Sequence, residues 1–301
     1  MRVYKTKSPD DRVLDIVVYT ALTLFTVAIV LPVAYLLVSS FVSSKELSDN
    51  RGFVLFPTKP VLDAYRMIFN ANRDMINGYM ISVLRVLTAV PLHTFFCFVC
   101  GYALSRPDMP LRRFLAIFFF FGFMFSAGII PYYIIVRSVG LYNNFLVYII
   151  PSIVSSGSIL LFRNNILSIP PSLIEAAEAD GANELAKIFR ICFPLCKAIV
   201  VTIMLFSAVG QWNAWFDTYL FVTDAKLRPV QMVLREILNA ASIRFDSDTD
   251  MLAMERLFRI LPPSRAIQSA AVTMVMLPIM CVYPFLQKYF VKGIIVGAVK
   301  G

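Results

Sequence analysis

The residues whose types could do chemistry are few, and most lie in apolar surroundings. His93, Cys97 and Cys100 fall at i, i+4 and i+7 on one helical face, a spacing that could ligate a soft metal ion. His93 is the only His in the chain, and isolated soft side chains in a bundle usually serve packing, so no metal site is expected. A second cluster is Gln211, Trp212, Asn213, Trp215 and Asp217. Aromatic faces stack on sugar rings while amides and carboxylates pair with hydroxyls, although each aromatic alone suits a membrane interface equally well. Arg85 either snorkels to an interface or faces an interior, where it would attract an anionic or hydroxyl-rich ligand. No nucleophile, base and orienting group stand together at a legible spacing, so no catalytic site of its own is expected. None of the 12 Gly belongs to a G-x-x-x-x-G-K-[ST] loop, so any ATP would be bound by a partner chain.

Positioning these residues falls to helices in a membrane. Of 301 residues, 58% are hydrophobic and 16% charged, against about 45–50% and about 25% for soluble domains. Uncharged runs cover 16–44, 86–105, 114–136, 138–162, 198–216 and 266–287. Some 20 apolar residues at ~1.5 Å each match a hydrocarbon core of roughly 30 Å, and only a helix satisfies the backbone there. The expectation is an all-α integral membrane protein, one transmembrane domain over 1–301. Its six spans fall near 16–41, 80–105, 114–136, 142–162, 197–218 and 266–287. The first run is about twice as long as a signal-peptide core and is taken as a mature span.

Arg106, Arg112 and Arg113 crowd one compact turn, which places that turn and both termini in the cytoplasm. The net charge of +9 is scattered over short loops, which fits anionic lipid headgroups and not nucleic acid. No Cys lies in an outer loop, so no disulfide is expected. Pro32, Pro91, Pro131, Pro151, Pro278 and Pro284 sit in or beside the spans, either as static kinks or as hinges.

The cytoplasmic segment 170–194 predicts a helical hairpin. Ser172 and Glu175 fit a capping box after Pro170-Pro171, Gly181 supplies a left-handed stop, and Ala182 to Cys192 forms a second helix up to Pro194. Leu185, Ile188 and Phe189 give it an apolar edge that suits either a groove on a cytosolic protein or the chain's own bundle.

Glu175-Ala176-Ala177, Asp180-Gly181-Ala182, Phe189, Ile191 and Pro194 resemble the EAA loop of permease subunits of bacterial ABC importers. Gly101-Tyr102-Ala103-Leu104-Ser105-Arg106, Trp212-Asn213-Ala214-Trp215-Phe216 and Gln287 to Gly293 are similar to the carbohydrate branch. Within it the chain looks like the six-span permease equivalent to the second permease of the maltose transporter. The resemblance implies that Glu175 to Ala182 and Phe189 form a coupling helix seated in an ATP-binding subunit. It implies a second permease, two ATP-binding subunits that hold ATP and Mg, and an extracytoplasmic solute-binding protein. The outer loop 219–265, with Arg228, Gln231, Arg235, Asp246 and Asp248, would meet the binding protein. Arg85 and His93 depart from the apolar or small residues usual there, which points to a polar or acidic sugar such as a uronate oligosaccharide.

Two rivals belong to other classes. A secondary carrier would need intramembrane acids, and the uncharged runs contain none. A non-transporting membrane scaffold fits the composition and leaves the hairpin motif unexplained.

Overall fold

A computed structural model of the chain describes residues 9–43, 46, 50, 54, 56–71, 73–242 and 265–281. Among them every regular element is helical. Two compact units divide the chain, one from residues 1–71 and 237–274 and the other from 72–236 and 275–301.

The first unit opens with α1 (Pro9–Ser39), whose Val13, Tyr19, Phe25 and Leu31 are all exposed. A helix apolar on every side is one made for lipid. After it comes α2 (Asp63–Ala71), fastened by Ser40 Oγ to Tyr65 Oη at 2.7 Å and by Val61 N donating to Phe41 O at 2.9 Å. Glu46 accepts from Thr58 N at 2.6 Å and from Thr58 Oγ1 at 2.7 Å, which holds its carboxyl below the ordinary range.

The second unit contains α3 (Arg73–Ser105), α4 (Arg112–Met124) and α5 (Ile129–Ser138), then 3₁₀ turns at Phe145–Tyr148 and Ile150–Ser152. It continues with α6 (Ser156–Leu167), α7 (Pro171–Ala179), α8 (Glu184–Leu195), α9 (Lys197–Asn213) and α10 (Phe216–Phe221). The helices α11 (Val230–Ser242) and α12 (Arg265–Cys281) each begin in one unit and end in the other.

Helices α3, α6, α8 and α9 share a core of Cys97, Phe98, Tyr102, Phe162, Ile188 and Val200. Gly101 lets α3 meet α6 closely: a Cβ there would lie 2.7 Å from Phe162 Cβ and 3.0 Å from the Arg163 nitrogen. A second core gathers Ile81, Val136, Tyr148 and Phe221. Beside it Asn143, at φ 53°, donates from its nitrogen to Phe221 O at 2.7 Å. Its side-chain oxygen accepts from Thr223 N and Asp224 N, which fixes the chain leaving α10.

Among the described residues, α1 and α3 alone are long and apolar enough to cross a bilayer unaided; α4 with α5, 145–152 with α6, and α8 with α9 reach that length as bent pairs. The expected single helix over 114–136 is broken at 125–128, where α4 and α5 meet at 116° and Gly128 takes φ +83°. Phe125, Ser126, Ala127 and Gly128 carry no charge, so a count of charges passes over the break. Pro131 falls in the first turn of α5, where a missing N–H removes no bond.

The expected span 142–162 begins as two 3₁₀ turns and runs past Arg163 to Leu167. Arg163 does not end the helix, because its Nε folds back to Leu104 O at 3.2 Å. The expected span 197–218 stops at Asn213, and α10 follows as a separate helix. Of the expected 266–287, residues up to Cys281 are helical and the rest lie outside the described residues, as does Pro284. No side chain of α4 is buried, and Phe114, Phe118, Phe121 and Phe123 are bare, as a lipid-facing helix requires.

Candidate functional site

Two groups of residues have the geometry of function. The first is the hairpin of α7 and α8. Its start corrects the expected capping box: Pro171 occupies the first helical position, Pro170 is the cap, and no side chain bonds there. Ser172 and Glu175 therefore lie inside the helix, and Glu175 is exposed. At the other end Ala182 N donates to Ala177 O at 2.9 Å and Gly181 N to Glu178 O at 3.0 Å, with Gly181 at φ +76°. This pair of bonds is a Schellman stop, and it needs a residue that tolerates the left-handed region.

The second helix starts at Glu184, later than expected, because Asn183 accepts from Ala186 N at 2.8 Å and caps it. It winds as a π-helix over Lys187–Cys192 and continues through Pro194 to Leu195. The expected apolar edge divides: Ile188 is in the bundle core and Phe189 stacks on Phe95 at 6.2 Å, while Leu185 stays exposed. Ala176, Asp180 and Gly181 are on the exposed side, with Ala177 and Ala182 half-buried.

A polar network, missed in the sequence, ties this hairpin to the end of α3. Glu178 Oε1 accepts from Arg106 Nη2 at 2.7 Å and from Lys187 Nζ at 2.9 Å. Lys187, 5% exposed, also pairs with Glu184, which accepts from Tyr102 Oη at 2.6 Å. Hydrogen bonds from Lys187 and then Arg106 hold the Glu178 carboxyl below its ordinary 4.5. Lys187 and then Tyr102 do the same for Glu184, and the two carboxylates raise Lys187 above 10.5. The signal available was an Arg at a span end and alternating charges on a short hairpin.

The second group surrounds a cavity of ≈ 440 Å³. Arg85, His93, Ser152, Ser155, Ser158 and Gln211 supply its polar wall, with Ser207 and Gly210 on the α9 side. Arg85 is 3% exposed, so the interface-anchor alternative is corrected: its guanidinium turns inward. Arg85 Nε donates to Gln211 Oε1 at 2.5 Å, Nη1 to Asp217 Oδ1 at 3.2 Å, and Nη2 to Asp217 Oδ2, with the Tyr148 ring 4.5 Å away. His93 bonds through its two ring nitrogens to Ser152 O at 2.7 Å and Ser158 Oγ at 3.0 Å. Cys97 is buried beneath it, and among the described residues no group of three His, Cys, Asp or Glu is placed to hold a metal ion.

The cluster from Gln211 to Asp217 is not one surface. Gln211 faces the cavity, whereas Trp212 is buried and donates to Val275 O at 3.3 Å. Asn213 accepts from Gln231 Nε2 at 3.0 Å, and Trp215 carries the Arg235 guanidinium 3.5 Å above its ring. Gln231 and Arg235 therefore clamp α11 to α9 and α10, and Arg228 bonds Glu236 at 2.9 Å. Asp246 and Asp248 lie outside the described residues. The cavity serines were missed because single hydroxyls in an apolar run leave no periodic mark.

No protein-family model matches the chain. It is 34% identical over 273 residues to Protein LplC of Bacillus subtilis, covering 90% of each chain. It is 33% identical over 292 residues to the polygalacturonan/rhamnogalacturonan transport system permease protein YtcP of the same organism, covering 97% of this chain and 99% of that one. A solved structure of a bacterial ABC transporter involved in the import of the acidic polysaccharide alginate superposes with TM-score 0.84 at 27% identity, over 95% of this chain and 99% of that chain. An all-helical bundle with bare apolar faces, alike in sequence and fold to such proteins along nearly its whole length, belongs to the permease subunits of bacterial carbohydrate ABC importers.

Proposed function

We propose that the chain moves acidic, uronate-containing oligosaccharides into the cytoplasm as one of two permeases in an ATP-driven importer. The observation that carries this reading is the buried Arg85 on the wall of a largely apolar cavity, beside His93 and Gln211. A guanidinium is costly within a membrane bundle and is retained where an anion is handled. Relatives that handle polygalacturonan, rhamnogalacturonan and alginate support the same class.

In this reading six spans cross the cytoplasmic membrane, namely α1, α3, the bent α4–α5, the 145–167 segment, α9 and α12, with both termini cytoplasmic. The bent third span and the segment 145–167 wall the path. The hairpin of α7 and α8 projects into the cytosol, where Glu175, Ala176, Asp180, Gly181 and Leu185 are offered to an ATP-binding subunit that holds ATP and Mg. Closure of two such subunits moves the hairpin, and the bundle alternates between inward- and outward-facing states, whose balance shifts only by differential affinity. A binding protein delivers the sugar to the outer face near α10 and α11.

The test is uptake by proteoliposomes holding the assembled importer, with binding protein outside and ATP inside. Tri-galacturonate should accumulate only with ATP, and maltotriose should not. Accumulation of maltotriose alone, or of neither, would remove the acidic-sugar reading.

A further inference from the structure

We infer that the Nε edge of Arg85 is a receptor for the carboxylate of a uronic acid unit, and that Asp217 is the counter-ion Arg85 gives up when that carboxylate arrives. The inference rests on the acidic-sugar reading above and deepens it. Arg85 presents two edges. Asp217 takes the Nη1 and Nη2 pair, with Ala214 O also 3.5 Å from Nη1, and the neutral Gln211 amide takes Nε. Arg85 and Gln211 line the cavity and Asp217 does not, so the cavity borders Arg85 on the side away from its counter-ion. An incoming carboxylate therefore meets the edge held by the weaker, uncharged partner.

Charge balance then selects which anion stays. Arg85 and Asp217 together are neutral, which is why the pair can be kept in the bundle. A second carboxylate on the same guanidinium leaves one negative charge unbalanced in low dielectric, so one of the two must leave. Within the ion pair Asp217 is the member able to move away: it is 22% exposed and sits on the six-residue α10 after the break at Ala214, whereas Arg85 is buried on the unbroken 33-residue α3. Asp217 has a second donor besides Arg85, since it accepts from Thr218 N at 2.8 Å. A neutral sugar brings no charge and leaves the pair closed, so the pair reports the carboxylate and not the hydroxyls.

The readout avoids both the binding protein and transport. In the assembled importer carrying Ser207→Cys on the cavity wall, the rate of labelling by an anionic thiosulfonate is followed against added tri-galacturonate or maltotriose. Tri-galacturonate should protect and maltotriose should not. Adding Asp217→Asn removes the competing anion and should lower the half-protecting concentration ~tenfold, whereas Arg85→Gln should abolish protection. Arg85→Lys, which keeps the charge without the bidentate edge, and the neutral pair Arg85→Gln with Asp217→Asn serve if Arg85→Gln alone fails to assemble; both should protect poorly. A structural ion pair would make the Asp217 and Arg85 variants lose protection alike, and that result overturns the inference. Equal protection by maltotriose, or none by tri-galacturonate in an importer that accumulates it, overturns it as well. Absence of tri-galacturonate uptake altogether instead sinks the proposed function.

Discussion

Replacing Gly181 isolates one backbone angle at the tip of the hairpin. A Cβ there would meet nothing within 4 Å, so Gly181→Ala introduces no clash, and its whole effect comes from φ +76°. Holding an L-residue in that region costs ~1–2 kcal/mol, which shifts the population of the closed turn by roughly 5- to 30-fold. Gly181→Asn should recover most of this, because Asn tolerates the left-handed region. Gly181→Pro fixes φ near −65° and deletes the N–H that bonds Glu178 O, so the stop cannot form. The assay is sugar taken up per ATP hydrolysed in proteoliposomes, with assembly checked by size-exclusion chromatography. Coupling should fall in the order Gly, Asn, Ala, Pro, with Ala several-fold down and Pro uncoupled. Asn as poor as Pro, or all four alike, would refute the claim that this turn positions the coupling surface.

Packing and charge yield two more expected outcomes. Gly101→Ala should destabilise the detergent-solubilised protein by about 1–3 kcal/mol, seen as a lower unfolding temperature, since the atoms it meets are the Cβ of Phe162 and the backbone of Arg163 and neither can swing aside; an unchanged temperature would mean α3 and α6 lie further apart. A nitroxide at Leu185→Cys should report constant mobility between pH 4.5 and 10.5. Glu178 and Glu184 are depressed, so their contribution is present above 4.5 and is lost as pH falls through their lower folded values. Lys187 is raised, so its contribution is present below 10.5 and is lost as pH rises through its higher folded value. Loosening of the label between those limits would show that the network does not hold the hairpin.

The sequence made the membrane class legible because absence of charge over a bilayer's thickness has one physical outcome. It made the hairpin legible through Gly181, where the backbone needs what only a few residues provide. The break at Gly128 escaped because bending a helix in lipid requires no polar residue. The capping box failed at Ser172 because Pro171 already fills the first position and leaves no bond for the hydroxyl to make. Gln211 to Asp217 looked like one sugar-binding patch, but the chain kinks after Asn213, so neighbours in sequence point to a cavity, a core and a clamp. The partner of Arg85 could not be read, since Gln211 and Asp217 are more than a hundred positions away.

Glu178 is gripped at once by Arg106, at the foot of α3, and by Lys187, on the segment that runs into α9. The two meet again where Arg85, partway along α3, reaches Gln211 on α9, beyond the 82° bend between α8 and α9. Helix α3 is thus tied twice to the bent α8–α9 stretch, by ions at the hairpin and by a guanidinium at the cavity, about 31 Å apart along α3. A displacement of the hairpin that carries α9 along α3 would therefore load the bond between Arg85 and Gln211.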